Sequence, residues 1–456
     1  MSDVRNELLT QNPWKLMIKL SLPAILGQFV VGFYAFIDSI FVGQMVGVDA
    51  MSAVSAASPF VLINNGIAVL IGIGSGSILA RAIGSKDQET VNKIMGNLVV
   101  LSLLLSALSM LVVIPLAPWL LGLTGAEGAV LEMGVSYLRT VFLGSVFVNF
   151  MQSANMIMRA EGRMNTAMLI MASGAILNII LDPLFIIMMP DKGPQAVAIA
   201  TVVAQFFQAA VTLYYFLKVS PIVKFNGIKL APKLIPQIFS VGSSAMLMQV
   251  MMIVQMTVLY HTAVKYGGPD QIALMGAAQR ILQLTFVPLW GMSQAMQPAV
   301  GTNYGAKNYD RVKKLTTVFI LGSTILATAF FILIQMFPGF LLSAFITDPA
   351  IVASGISNFR LMYAIFPTYG LLIMTITYFQ SLGKGKEAGL IVMLRQVFLI
   401  VPLILILPYF MGLTGVWAAL PVNDAIILIL AVALMIKEFR LLDRKKAAEA
   451  SEAAAV

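Results

Sequence analysis

Five pairs of residues in this chain, Gln28 and Gln249, Asp49 and Asp270, Gly84 and Gly305, Arg139 and Arg360, and Gly162 and Gly383, are each separated by 221 positions. Further identities at Ala56/Ala277, Ala57/Ala278, Lys86/Lys307, Val91/Val312, Lys93/Lys314, Ser136/Ser357 and Ala167/Ala388 hold that offset over about 140 residues. So long a register records a tandem duplication. The fold must therefore contain two copies of one unit. Transporters are commonly built from internal repeats whose interface encloses the substrate path, so the duplication points to movement of a solute rather than to chemistry.

The copies are too apolar for a water-soluble domain. Of 456 residues, 59% are hydrophobic and 11% charged, and the mean hydropathy is +0.91. A helix needs about 20 apolar residues to cross a hydrocarbon core of ~30 Å. Stretches of that length are predicted near 14–45, 51–79, 94–121, 128–155, 163–189, 194–218, 235–264, 271–300, 313–337, 350–378, 386–410 and 412–437. Backbone polar groups in lipid must be satisfied within the segment, and the runs lack the alternation of barrel strands. The expected fold class is all-α: a polytopic membrane protein with twelve transmembrane helices in two six-helix lobes.

Six spans per copy return the chain to its starting side, so the repeats are parallel in topology. The expected organisation is an amino-terminal lobe over 1–217, a linker over 218–233, a carboxy-terminal lobe over 234–440 and a cytoplasmic tail over 441–456. The linker carries Pro221, Pro232, Gly227 and spaced lysines, including Lys218, Lys224, Lys229 and Lys233. That composition predicts a segment lying along anionic headgroups while the halves move. The Ala-rich stretch Ala447–Val456 reads as disordered. The short polar leader before span 1 has no cleavage site behind a brief apolar core, so a retained helix is expected there.

A net charge of +9 raises the question of nucleic acid, and the placement of the basic residues answers it. Arg81, Lys86 and Lys93 follow span 2, Arg159 and Arg163 follow span 4, Lys307, Arg311, Lys313 and Lys314 follow span 8, and Lys384 and Lys386 follow span 10. The alternate loops carry only Lys192 and Lys265 against five acids. This is the positive-inside pattern; it predicts a multi-pass protein of a bacterial-type cytoplasmic membrane with both termini cytoplasmic, and no nucleic-acid partner. With no cysteine, thiolate chemistry and disulfides are excluded.

An ionisable side chain at the bilayer centre costs roughly 2.5–3.5 kcal/mol on insertion scales, so each one calls for a reason. Asp38, Asp182 and Asp424 lie well inside the predicted spans. Tyr34 precedes Asp38 by one helical turn and Asn178 precedes Asp182 by one turn, so each pair shares a helix face. On span 6, Thr201, Gln205 and Gln208 share a face. Carboxylate, amide and hydroxyl oxygens suit a hard monovalent cation, whereas two carboxylates held together favour a proton. The alternative is that these acids cap or pin helices. Asp424, beside Asn423, is open to either role. Pro183 adjoins Asp182 and can support a bend.

Other polar residues are less telling. The run Met246, Met248, Met251, Met252 and Met256 can line an adaptable wall or merely fill space. His261 reads as interfacial, Arg139 and Arg360 as snorkelling residues. Arg280 and Arg395 lie deeper; they either bias the second half against cations or pair with Asp424.

Several motifs together carry a family resemblance. They are Leu22-Pro23, Tyr34-Ala-Phe-Ile-Asp38 with Phe41-Val-Gly43, Asn178-Ile-Ile-Leu-Asp182-Pro183, Ala198-Ile-Ala-Thr201 and Gly301-Thr-Asn-Tyr-Gly305-Ala. In a twelve-span setting they resemble the multidrug and toxic compound extrusion (MATE) family over about 14–440. The resemblance implies an antiporter that expels bulky cationic and aromatic compounds in exchange for Na⁺ or H⁺ by alternating access. It implies a cation site, with Na⁺ as the possible metal, at Asp38, Asn178, Asp182 and Thr201, with Tyr34 adjoining. The family's other branch uses acids in spans 7 and 10, which this chain lacks, so coupling is expected in the amino-terminal half.

Gln28, Gln205, Met252, Gln255, Met256 and Gln283 are the candidate lining of a substrate cavity. No cofactor beyond the coupling ion is expected, the partners are small molecules and the lipid bilayer, and two lobes in one chain make a monomer sufficient. An intramembrane enzyme is not expected, since no metal-binding acid cluster or Cys/His couple is present. A flippase for a lipid-linked saccharide shares the broad architecture and is the nearest alternative; it would need a cationic cavity for its pyrophosphate. A passive channel fits the two-lobe duplication less well.

Overall fold

The computed structural model describes residues 2–228 and 230–454. Lys229 of the linker and Ala455 and Val456 of the tail lie outside the described residues. Helices account for nearly all of the described chain, and no strand occurs among them.

Ten helices are long and apolar enough to cross a membrane, and two bent helix pairs bring the count to twelve. In order, spans 1 to 6 are Pro13–Val46, Val48–Ser85, Gln88–Leu123, Gly128–Leu143 with Ser145–Ala160, Met164–Met188 and Pro194–Val219. Spans 7 to 12 are Pro232–Gly267, Asp270–Gly305, Tyr309–Met336, Pro349–Met362 with Phe366–Ser381, Gly385–Met411 and Leu413–Glu452. Their order follows the hydropathy pattern. Spans 4 and 10 differ from it in being broken, by 52° and 42°. Span 4 breaks at Gly144, where an added Cβ would stand 2.6 Å from a methyl of Val202 on span 6.

The duplication is written into the backbone as well. Lys86 and Lys307, 221 positions apart, are the non-glycine residues with positive φ among those described, at 61° and 60°. Each ends the second span of its repeat in a left-handed turn that side chains ordinarily disfavour. Asp87 then caps span 3, accepting the Thr90 N–H at 3.0 Å and the Thr90 hydroxyl at 2.7 Å.

Contacts divide the chain into two compact units, one of Met1–Glu7 with Leu26–Met246 and the other of Leu8–Ile25 with Leu247–Val456. The first half of span 1 thus belongs to the second unit and the first part of span 7 to the first, a crossing that the boundaries expected from sequence do not contain. In the first unit, Ile71, Leu98, Ile157, Phe216, Val223 and Ile238 share one buried core. Span 7 reaches that core because an added Cβ on Gly242 would stand 1.9 Å from the Leu70 carbonyl oxygen and one on Gly74 2.3 Å from the Ile238 carbonyl oxygen. Small residues permit such close backbone approach where no hydrophobic drive separates helix from lipid. In the second unit, Gly291 on span 8 lets the Ile25 backbone approach in the same way.

Two expectations are corrected. The linker is not free along the membrane surface: Val223 is fully buried, and Ala231 donates its N–H to Asn97 Oδ1 at 3.0 Å. The tail is not disordered through its described part, because the last helix runs from Leu413 to Ala454. Lys446 pairs with Asp310 at 2.6 Å, Lys307 pairs with Glu449 at 3.0 Å, and the Tyr309 hydroxyl donates to Glu449 at 3.0 Å. Alanine favours helix once the flanking charges find partners.

Candidate functional site

Spans 1, 5 and 6 bring the predicted coupling residues into one cluster within the first unit. Asn178 and Asp182 follow each other by one turn on span 5, so the Asn178 amide donates to Asp182 Oδ1 at 3.0 Å. The same amide lies 3.4 Å from Thr201 Oγ1 on span 6, whose hydroxyl donates to the Val197 carbonyl at 3.0 Å. Spans 5 and 6 meet closely because Gly174, one turn before Asn178, leaves the volume that Gln208 fills. Gln208 in turn donates to the Met171 carbonyl at 3.1 Å.

Asp38 completes the cluster from span 1. Its carboxyl lies within hydrogen-bonding reach of the Asp182 carboxyl, and Tyr34 is close enough to feel both charges. Asp182 is fully buried. Asp38 Oδ1, Asp182 Oδ2 and Asn178 Oδ1 are buried and receive no hydrogen bond. Among the described residues, no basic side chain forms an ion pair with either acid. Buried oxygens without donors are costly unless something electropositive satisfies them. The set fits a small monovalent cation by its hard oxygens, and a shared proton by the closeness of its two carboxyls.

One further residue faces the cluster. Tyr137 on span 4 interacts electrostatically with Asp38, Tyr34 and Asp182. No spacing rule signals it, because its own span carries no acid near it on the same face. Just beyond Asp38, span 1 widens into a π-helical turn over Val42–Val46, a deviation often found beside functional residues.

The candidate cavity residues are divided between the units. Gln28 and Gln205 belong to the first; Met252, Gln255, Met256 and Gln283 belong to the second. Gln205 Oε1 is buried without a partner, Gln255 is buried, and Met252 and Gln283 are exposed. A cleft of about 610 Å³ in the first unit is lined elsewhere, by residues such as Met51, Ser52, Ser55, Thr124 and Val130.

The remaining acid inside the spans, Asp424, has a structural partner. Arg395 donates to Asp424 at 2.7 Å, whereas Arg280 places its guanidinium 5.9 Å from the Phe345 ring centre. His261 is exposed. Glu161, at the end of span 4 and unremarked in the sequence, is fully buried. It accepts the Tyr215 hydroxyl at 2.9 Å, the Ser220 hydroxyl at 2.5 Å and the Val223 N–H at 2.6 Å. It therefore fastens the start of the linker to the first unit.

Twelve duplicated spans that carry a buried cluster of oxygens have the architecture of a multi-pass membrane transporter. The sequence profile of the MatE family matches residues 23–184 and again 244–406, two matches whose starts are 221 positions apart. The chain belongs to the MatE family, as its motifs implied.

Among curated relatives, the multidrug export protein MepA of Staphylococcus aureus (strain N315) is 27% identical over 434 residues, 94% of each chain. MepA of Staphylococcus saprophyticus is 25% identical over 433 residues, again 94% of each. Among solved structures, a MATE protein in its bent conformation superposes with a TM-score of 0.92 at 25% identity, covering 98% of this chain and 100% of that one. A MOP superfamily transporter from Pyrococcus furiosus, described as having a binding pocket of reverse polarity that suggests a different function, superposes at 0.89 with 26% identity, covering 97% and 99%.

Proposed function

We propose that this protein is a secondary active multidrug efflux antiporter that exports bulky cationic and aromatic compounds in exchange for Na⁺ or H⁺ by alternating access. The observation that carries the reading is the pair of the fully buried Asp182 and the half-buried Asp38, held together without a basic partner. The similarity to MepA proteins, named as multidrug export proteins, supports the substrate class. The Lys and Arg distribution supports a plasma-membrane protein with cytoplasmic termini, and two lobes in one chain make a monomer sufficient.

The cluster works as a switch through differential affinity. A ligand shifts a conformational equilibrium only by binding one state better than the other. Protonation or cation binding at Asp38 and Asp182 cancels negative charge, which weakens attraction for a cationic drug and favours the state that releases it. Asn178 and Thr201 orient the acceptor oxygens, and Tyr34 and Tyr137 exclude water around them. The flippase reading is not favoured, since the ionisable pair at the cluster, Asp38 and Asp182, is acidic and a pyrophosphate requires the opposite.

The test is efflux of ethidium from proteoliposomes under a Na⁺ gradient and a pH gradient imposed separately, for wild type and Asp38→Asn. Gradient-driven efflux that the substitution abolishes is expected, and the effective gradient names the ion. Full activity in Asp38→Asn would overturn the coupling site, and no efflux under either gradient would overturn the substrate class.

A further inference from the structure

The second unit contains no copy of the acid pair. By the 221 offset Asp38 corresponds to Leu259. The stretch of span 11 in register with Asn178 and Asp182, residues 399–404, reads Leu-Ile-Val-Pro-Leu-Ile. Gly193 and Gly412 both begin their next helices with positive φ, 51° and 57°, and counting from them Thr201 corresponds to Leu420. The four positions Asp38, Asn178, Asp182 and Thr201 are all apolar in the second unit.

One helical turn away, the second unit holds what the first lacks. Arg395 corresponds to Gly174 and Asp424 to Gln205. Arg395 Nε donates to Asp424 Oδ1 at 2.7 Å and Nη2 reaches Oδ2 at 3.4 Å. Their side chains are 11% and 4% exposed. The Tyr369 ring lies 4.8 Å from the guanidinium, and its hydroxyl is within reach of both charged groups. Arg395 sits in a π-helical turn over Leu394–Phe398. Asn423, next to Asp424, donates to the Arg395 carbonyl at 3.0 Å, which ties this loosened turn to span 12.

A fixed guanidinium gives Asp424 everything a mobile cation would offer: full charge, two donors and a locked orientation. We propose that Arg395 is a built-in counter-ion that denies Asp424 to mobile cations, so that ion coupling is confined to the first unit and its stoichiometry is set there. The proposal rests on the cation-coupled reading above for its meaning in transport. The state of Asp424 itself is independent of that reading.

Infrared difference spectroscopy of the purified full-length protein in lipid nanodiscs tests this, because it reports individual carboxyl groups on addition of Na⁺ or on a pH step. The wild-type and Asp424→Asn spectra are expected to superimpose, since Asp424 should be silent. Arg395→Met should gain one cation- or pH-responsive carboxyl per chain, and Arg395→Met/Asp424→Asn should lose it. Arg395→Lys should keep Asp424 silent. A responsive Asp424 band in wild type, or no new band in folded, monodisperse Arg395→Met, would overturn the proposal. If Arg395→Met does not fold, the comparison of wild type with Asp424→Asn still decides whether Asp424 is withheld from mobile cations. Adding Asp38→Asn separates the two readings. A new band from Asp424 in Asp38→Asn/Arg395→Met upholds the counter-ion whatever the fate of the Asp38 signal, and an Asp38 signal absent from wild type counts only against the coupling site.

Discussion

The Glu161 carboxylate accepts the Val223 N–H at 2.6 Å across 62 residues of sequence, and so binds the connection between the repeats to the end of span 4. Burial pushes this carboxyl up to about 7, against the pull of its three donors and Arg163. An acid whose folded value lies above its ordinary 4.5 contributes stability that is full below about 4.5 and lost as pH rises to about 7. Amides of Ser220 to Val223 should therefore open more readily at pH 8 than at pH 5 once intrinsic exchange is corrected. Glu161→Gln should flatten that dependence in hydrogen exchange, and an unchanged profile would count against the assignment.

Removing the acceptor altogether has a larger effect. Glu161→Ala leaves the Tyr215, Ser220 and Val223 donors unpaired, at roughly 1–3 kcal/mol for each buried group. The expected result is new proteolytic cleavage within 220–231 while both units remain folded. Resistance equal to wild type would show that the linker is held by its apolar contacts.

Gly242 and Leu70 give a test of the crossing of spans 7 and 2. An added Cβ at Gly242 would meet the Leu70 carbonyl oxygen at 1.9 Å, backbone against backbone, so Gly242→Ala should destabilise by about 1–3 kcal/mol or more. Gly32 has nothing within 4 Å, and Gly32→Ala should be neutral or raise stability by roughly 0.5–1 kcal/mol through helix propensity. Thermal unfolding in detergent compares the two directly. Equal midpoints would refute the close approach.

At the cluster, Tyr137→Phe keeps the ring and removes the hydroxyl whose electrostatic interaction reaches Asp38 and Asp182. Losing a polar interaction of about 0.5–1 kcal/mol predicts a change of roughly two- to fivefold in the cation concentration for half-maximal transport, with an unaltered melting temperature. Dose–response curves that coincide with wild type would remove Tyr137 from the site.

The last helix should be protected well past the membrane. Amides over 441–449 are expected to exchange slowly at low salt and faster at high salt, because the pairs Lys446–Asp310 and Lys307–Glu449 are exposed and therefore screened. Exchange as fast as in an unstructured peptide would return the tail to the disordered state that its composition suggests.

Periodicity and duplication made the twelve spans and their order legible from sequence, because the length of an apolar run is fixed by the bilayer and needs no tertiary information. The motif Tyr34-x-x-x-Asp38 and the pair Asn178 and Asp182 were legible too, since one-turn spacing puts residues on one face and charge inside a membrane is rarely idle. Tertiary structure alone decided which of those groups meet. It put Tyr137 beside Asp38, gave Asp424 a fixed partner in Arg395 rather than Arg280, and closed the linker onto Glu161. It also crossed the first parts of spans 1 and 7 between the units. Those outcomes depend on contacts between residues tens to hundreds of positions apart, governed by where glycines such as Gly74 and Gly242 let backbones touch and Gly174 admits the Gln208 side chain. A one-dimensional pattern records the face of each helix, and only packing determines what that face meets.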